Sequence, residues 1–428
     1  METEKYIDFS EKIPVYPEHD VIVCGGGVAG VAAAVNAARH GKSVILFEKS
    51  LTFGGLATNG LINMFVPSCN GRGVNIIKGM NAELFDLAVK YSYDTIPDKW
   101  KNDEPDKGGQ RYMTTYSPCI FALVLTEFLE QNGVKIMLDC VVSDVICEKN
   151  DDTEHCKGVV VQTKGGRKYY PAKIIIDTTG DADVLYKAGV PCIDGKNYYT
   201  FSTYKIDIDS CKKAAESGNI RDAYKRASGG DIDLYGHNQP ADKPLYVGVT
   251  SEDVTDYIMS NHHDLLEKLK ADERSSRDII QMPIMPQFRT TRCIKGEHIF
   301  SEKDAYKHFD DSIAAICDFD HRDFLFEVPF GCLVNHGFDN IITAGRSAAA
   351  SGYGWDILRV IPPAIITGQA AGTAASMAIE NECDINKISI KDLQKTLEDE
   401  NVMIHFDDEW IPSGEATDVG ERVDNGHF

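Results

Sequence analysis

Apolar positions near the start of the chain fall into short unbroken runs that stop abruptly at glycine or at an acid. Val21–Cys24 runs into Gly25-Gly26-Gly27, and Ser43–Phe47 stops at Glu48. Runs of this kind read as strands buried on both faces. Between them, Val28–His40 is rich in alanine and closes at Gly41, which predicts a helix. Strand, helix and strand thus follow one another within about 30 residues, the span of a single β–α–β unit. Further on, Ser117-Pro118 opens a second helix as N-cap and first-turn proline, Phe121, Val124, Leu125 and Phe128 hold helical spacing, and Gly133 closes it. Strands are predicted at 134–138, 141–147 and 158–163. The segment Lys164-Gly165-Gly166-Arg167 is a hairpin turn leading to a return strand, and Ile174–Ile176 is a buried run ending in Asp177-Thr178-Thr179-Gly180-Asp181.

From Gly189 to His336 the texture changes. Charges are frequent, aromatics are scattered, and strand ends lack glycine-rich turns. The first texture returns at Asn340–Ala344, followed by Gly345-Arg346 and a small-residue helix over Pro362–Ile379. A helix is predicted at Ile390–Glu398 in a polar, acidic tail. The pattern predicts an α/β fold in which a discontinuous Rossmann-type domain, with parallel sheet, helices and a β-meander, is interrupted by an inserted α+β substrate domain. The expected divisions are 1–188 and 337–380 for the nucleotide domain, 189–336 for the inserted domain and 381–428 for the tail.

Composition narrows the partners. The 428 residues carry a net charge of −22, which disfavours nucleic acid and anionic membranes. The longest apolar stretch, 21–38, is broken by four glycines and is too short for a span of about 20 residues. The first residues lack the basic and apolar regions of a signal peptide. The chain therefore reads as cytoplasmic, with a small-molecule substrate and no nucleic acid or membrane as partner; a homo-oligomer is compatible with it. Twelve cysteines occur with no Cys-x-x-Cys pair, which argues against a dithiol centre, a zinc ribbon or a cysteine-ligated cluster. No His, Asp or Glu group has metal-ligand spacing, so no metal is expected.

The chemistry sits first in Gly25-x-Gly27-x-x-Gly30, between a strand and a helix. The first glycine permits a tight turn, the second admits a pyrophosphate to backbone N–H groups, and the third lets helix and strand pack closely. Val28 and Ala29 open the helix whose positive end faces the phosphates. Glu48, 18 residues after Gly30 at the end of the second strand, suits the ribose hydroxyls of a dinucleotide and disfavours a 2′-phosphate.

These residues, with Gly54-Gly55-Leu56-Ala57-Thr58-Asn59-Gly60, resemble the FAD-dependent oxidoreductases built on the glutathione-reductase-type FAD fold. Later segments agree: Asp177–Asp183, Asn340–Arg346, Arg359-Val360-Ile361-Pro362 and Thr367–Gly372. The likeness spans about residues 18–380, is patchy between Gly189 and Arg289, and extends distantly to the fumarate reductase and succinate dehydrogenase flavoproteins. It implies FAD as cofactor. Contacts implied for it are Gly25, Gly27, Val28, Ala29, Gly30, Glu48 and Lys49 at the adenosine end, Gly54, Gly55 and Thr58 along ribityl and ring, and Val142, Thr179, Gly180, Asp181, Gly345, Arg346 and Gly368 elsewhere along it. Many proteins of this broad fold carry Gly-Asp where this chain has Gly345-Arg346.

No second Rossmann fingerprint follows, so a dedicated NAD(P)H domain is not expected. The segment Gln287-Phe288-Arg289-Thr290-Thr291-Arg292 resembles the family's paired-arginine segment, and guanidinium groups suit a carboxylate. Arg292, Arg359 and Tyr353 are the catalytic candidates; the competing view is that the arginines make ordinary ion pairs and that Tyr353 and Trp355 are core anchors. His308, His321 and His336 titrate near neutrality, but nothing in their spacing selects one. The expected function is hydride transfer between flavin and a small polar or anionic organic substrate, as dehydrogenase, reductase or oxidase. The alternatives are a flavin-binding non-catalytic subunit of a complex or a flavin-dependent RNA-modifying protein.

Overall fold

The computed structural model describes residues 7, 9–70, 73–93, 95–96, 113–150, 152–228, 232–321 and 324–411. Its centre is a parallel sheet in the order Lys135–Met137, Val44–Phe47, His19–Cys24, Gly166–Asp177 and Ile341–Thr343. The inner strands are apolar on both faces because helices cover both sides. Val21, Ile22, Val23, Ile45, Leu46, Ile175 and Ile176 have no accessible surface. The strand Gly166–Asp177 serves two layers. Its second half lies in the parallel sheet, while its first half pairs antiparallel with Thr153–Thr163, which pairs in turn with Val141–Asn150. This is the predicted meander, and its tight turn falls at Lys164-Gly165.

The helix Val28–Arg39 is buried over nearly its whole length because a second helix, Ile361–Glu380, lies along it. Small residues let the two backbones touch. A Cβ on Gly368 would stand 2.2 Å from the carbonyl oxygen of Ala29, and one on Gly372 2.5 Å from that of Ala33. Ser117 caps the helix Pro118–Gln131 through the Ile120 N–H, as its sequence predicts.

A second, smaller core gathers Tyr199, Phe201, Tyr246, Tyr257 and Phe288 beside the helix Ser251–Ala271. A three-stranded antiparallel sheet, Lys225–Ser228, Ser202–Asp207 and Arg277–Gln281, belongs to the same region. This core ends earlier than the 189–336 division expected from sequence. Cys293, Ile294 and the hairpin of Ser312–Cys317 with Leu325–Pro329 are buried in the main core, being apolar at nearly every position apart from Ser312 and Glu327. The helix Ile390–Asp399 likewise sends Leu393 and Leu397 into that core, so the expected tail begins as part of the body. Residues 412–428 lie outside the described residues. No helix among the described residues is long and apolar enough to cross a membrane.

Cysteines without a Cys-x-x-Cys motif still meet. Cys147 and Cys156 are direct partners across the meander, with sulfurs 3.0 Å apart.

Candidate functional site

The carboxyl ends of the parallel strands open into a cleft of about 1060 Å³, its open mouth included. Its floor is the turn after the first strand. Gly25 has φ +106°, and a Cβ there would lie 2.5 Å from the Thr178 carbonyl oxygen. Gly27 is the N-cap of the helix Val28–Arg39, with no side chain capping it, and a Cβ there would meet nothing within 4 Å. The first intrahelical bond runs from Val31 N–H to the Gly27 carbonyl. The N–H groups before it have no partner within the helix. Val28 and Ala29 both line the cleft. Open space, unspent donors and a helix dipole together make an anion cradle of pyrophosphate chemistry.

Glu48 closes one end of the cleft. It is buried, its Oε2 accepts from Gly26 N–H at 2.6 Å, and its Oε1 accepts from Ser50 N–H at 2.7 Å. The two bonds fix the carboxylate and leave lone pairs for vicinal hydroxyls. Lys49, Gly54, Gly55, Val142, Thr179, Gly180, Gly345 and Arg346 also line the cleft. These residues fit an FAD molecule: phosphate at the helix end, ribose at the buried acid, and a mostly apolar wall beyond.

Four of the expected cofactor residues lie behind the cleft wall. Gly30 packs against the turn, where its missing Cβ would stand 1.9 Å from the Gly25 carbonyl oxygen. Thr58 donates its hydroxyl to the Phe53 carbonyl at 2.5 Å, inside its own turn. The Asp181 carboxylate accepts from Arg346 Nη2 at 2.6 Å and from the Thr291 hydroxyl at 2.7 Å. Gly368 lies at the helix–helix contact. Arg346 itself is committed: its Nε donates to the Gly180 carbonyl and its Nη1 to the Phe288 carbonyl. It ties the two ends of the sheet to the smaller core, with only part of its side chain on the cleft wall.

The catalytic candidates separate. Arg359 lines the cleft, with Nε donating to Asp356 Oδ1 at 2.8 Å. Arg292 does not. It is buried against Tyr186, donates from Nε to the Asp181 carbonyl and pairs with Asp183 at 3.0 Å. Tyr353 is not on the cleft wall either; its hydroxyl donates to the buried Asp318 carboxylate at 2.8 Å. Trp355 is a core anchor whose Nε1–H donates to the Arg346 carbonyl. The other member of the paired-arginine segment, Arg289, was not among the catalytic candidates. Arg289 and Arg292 are three residues apart, with backbone bends at Arg289 and Thr291, before the strand that starts at Arg292. Arg292 goes to the Asp183 side; Arg289 goes to Arg359. Burial, then the charge of Arg359, lowers the Arg289 guanidinium to about 10. Its Nη1 donates to the Asp233 carbonyl at 3.0 Å, and among the described residues no carboxylate pairs with it. Ile361 and Ala364 bring the start of the second helix to the cleft. Pro362 and Pro363 supply no N–H and the Ala364 N–H bonds to the Val360 carbonyl, so Ile361 offers the one backbone donor of that first turn without a partner among the described residues. Met285 also reaches the cleft, from a segment with no sequence signal. The three histidines all pair with acids elsewhere: His308 with Glu327 and Asp408, His321 with Asp318, His336 with Glu297.

A family model described as FAD dependent oxidoreductase matches residues 20–227 and 252–397. Among curated proteins, a putative bifunctional amine oxidase of Dictyostelium discoideum is 49% identical over 99 residues, 23% of this chain and 8% of that one. Thiamine thiazole synthase of Sulfolobus acidocaldarius is 33% identical over 69 residues, 16% of this chain and 26% of that one. The chain thus spans only 8% and 26% of the length of these relatives. Among solved structures, p-nitrophenol 4-monooxygenase from Pseudomonas putida DLL-E4 aligns over 90% of this chain and 84% of its own, with a TM-score of 0.47 and 14% identity. L-proline dehydrogenase from P. horikoshii aligns over 91% of this chain and 100% of its own, with a TM-score of 0.40 and 12% identity. Likeness this loose bears on neither substrate nor reaction.

Proposed function

Because this chain belongs to the FAD-dependent oxidoreductase family, we propose that it is an enzyme that oxidises or reduces a small organic anion held beside its flavin. Bound FAD supplies the two-electron chemistry through its ring system. The chain supplies binding, orientation and charge. Glu48 would hold the adenosine ribose, and the Gly25–Gly30 turn with the helix it opens would hold the pyrophosphate. The Ile361 N–H and the positive end of its helix favour negative charge at the far end of the cleft.

The observation that carries the substrate class is Arg289. A half-buried guanidinium with no carboxylate in ion-pair contact among the described residues, lying beside a second guanidinium, is electrostatically incomplete. A substrate carboxylate completes it. Arg359 is already oriented by Asp356, so its remaining N–H groups are pre-set toward an anion. A guanidinium offers a fixed fork of donors that matches a carboxylate, so the work of both is to bind and align the substrate.

The test is anaerobic bleaching of the flavin by small hydroxy acids, amino acids and unsaturated acids, each beside its neutral amide. One of the acids is expected to change the flavin spectrum where its amide does not. Arg289→Gln is expected to weaken the half-saturating concentration of that acid by about 30- to 100-fold, the worth of a charged hydrogen bond. Equal bleaching by acid and amide, or an unchanged half-saturation in Arg289→Gln, would sink the anionic reading and leave FAD binding untouched.

A further inference from the structure

Three side chains from well-separated segments meet outside the flavin cleft. Glu327 lies on the strand Leu325–Pro329 and is fully buried. Its Oε1 is 2.5 Å from His308 Nδ1 and 2.9 Å from His405 Nδ1. One ligand atom from each of the three residues lies within 4.8 Å of the others. None of the three lines the cleft.

The arrangement is more than a charged cluster. Two imidazole nitrogens converge on one oxygen of a carboxylate that has no contact with water. The outer contacts hold the donors in place. Glu327 Oε2 accepts from the Phe309 N–H at 2.8 Å, which fixes the plane of the carboxylate. His308 Nε2 is 2.9 Å from Asp408 Oδ1. A carboxylate on one ring nitrogen turns the other inward, as in carboxylate–histidine–metal groups. The backbone sets His405. Ser312 donates its hydroxyl to the Ile404 carbonyl at 2.7 Å, and Ala315 donates its N–H to the Met403 carbonyl at 2.6 Å. Both histidine side chains keep more than two fifths of their surface exposed, so an ion and a water molecule have access.

Two neutral imidazoles and one carboxylate, with a fourth position open, form a nitrogen–oxygen ligand set suited to zinc and similar ions. We propose that His308, Glu327 and His405 bind a divalent transition-metal ion of the zinc class. The ion pins the segment that carries His405 to the hairpin that carries Glu327. Binding displaces the protons now shared between rings and carboxylate; no redox step is involved.

The test uses the full-length, flavin-loaded protein, stripped of metal with a chelator and dialysed. Zinc chloride is titrated in by calorimetry and the melting midpoint is followed with and without zinc. One zinc per chain is expected, with Kd of about 10 µM or tighter. The midpoint is expected to rise by about 2 °C or more. His405→Gln, at a half-exposed position, is expected to weaken binding at least tenfold and to abolish the rise while keeping its flavin spectrum. His237→Gln, which removes an exposed histidine elsewhere, is expected to behave like wild type. No zinc-dependent heat above background, or binding that survives both His405→Gln and His308→Gln, would overturn the site and leave the group as an ion-pair cluster.

Discussion

Gly30→Ala is expected to give a protein that purifies without flavin and melts well below wild type. The added methyl would begin 1.9 Å from the Gly25 carbonyl oxygen and 2.6 Å from Thr178 Oγ1. Attraction between such atoms gives way to steep repulsion well before that separation, so helix and turn must part by roughly 1 Å. Neither can retreat. Thr178 holds the turn, its hydroxyl 2.7 Å from the Gly25 carbonyl and 3.0 Å from that of Cys24. The helix is blocked behind by Ala29 and Ala33, whose carbonyls press on Gly368 and Gly372. Overpacking of this kind typically costs about 1–3 kcal/mol, and backbone on both sides puts this site at the upper end. The same displacement moves Val28 and Ala29, whose N–H groups belong to the proposed phosphate cradle. The visible spectrum and a thermal melt check both effects. A yellow Gly30→Ala protein with full flavin content would show that the cradle tolerates the shift.

Asp177→Ala is expected to be the most destabilising single change at the junction of the two halves of the sheet. The side chain is wholly buried. One oxygen accepts from the Thr179 N–H and hydroxyl, and the other from the Val184 and Leu185 N–H groups, starting the helix Asp183–Ala188. Alanine leaves these donors without their acceptor in a dry site, at about 1–3 kcal/mol for each one left unsatisfied. A loss of at least 3 kcal/mol in denaturant unfolding is the expected order. Burial outweighs the four hydrogen bonds and raises the carboxyl to about 6 from its ordinary 3.8. The native state therefore holds its proton more tightly than the unfolded chain. The Asp177 contribution is fully present below the unfolded value and is lost as pH rises through about 6. Between pH 7 and pH 5 this residue adds about 1 kcal/mol of stability, measured as the difference between wild type and Asp177→Asn. A difference that stays flat, or shrinks as pH falls, contradicts this account.

Much of the frame was readable along the chain. The first strand, helix and second strand keep their expected places because each is set by its immediate neighbours: apolar runs, alanines, and glycines where a Cβ cannot fit. Glu48 stands at the end of its strand, where the sequence puts it, for the same reason, since a strand end is a local feature. Reading failed where a side chain's role depends on its partner. Arg289 and Arg292 are alike in sequence. The fold gives Arg292 to Asp183 and leaves Arg289 with Arg359. Thr58 and Tyr353 carry hydroxyls that look available, yet one closes its own turn and the other serves Asp318.

The division between the two kinds of information follows from range. Backbone constraints act within a few residues, so the sequence alone determined the α/β frame, the phosphate turn and the buried acid at its edge. Pairing of side chains is decided by segments far apart in the chain. Cys147 meets Cys156 only because a hairpin sets their register. His308, Glu327 and His405 share no spacing, and packing alone brings a buried carboxylate under two imidazoles. Charge, burial and hydrogen bonding are properties of those meetings, and only the tertiary structure decided them.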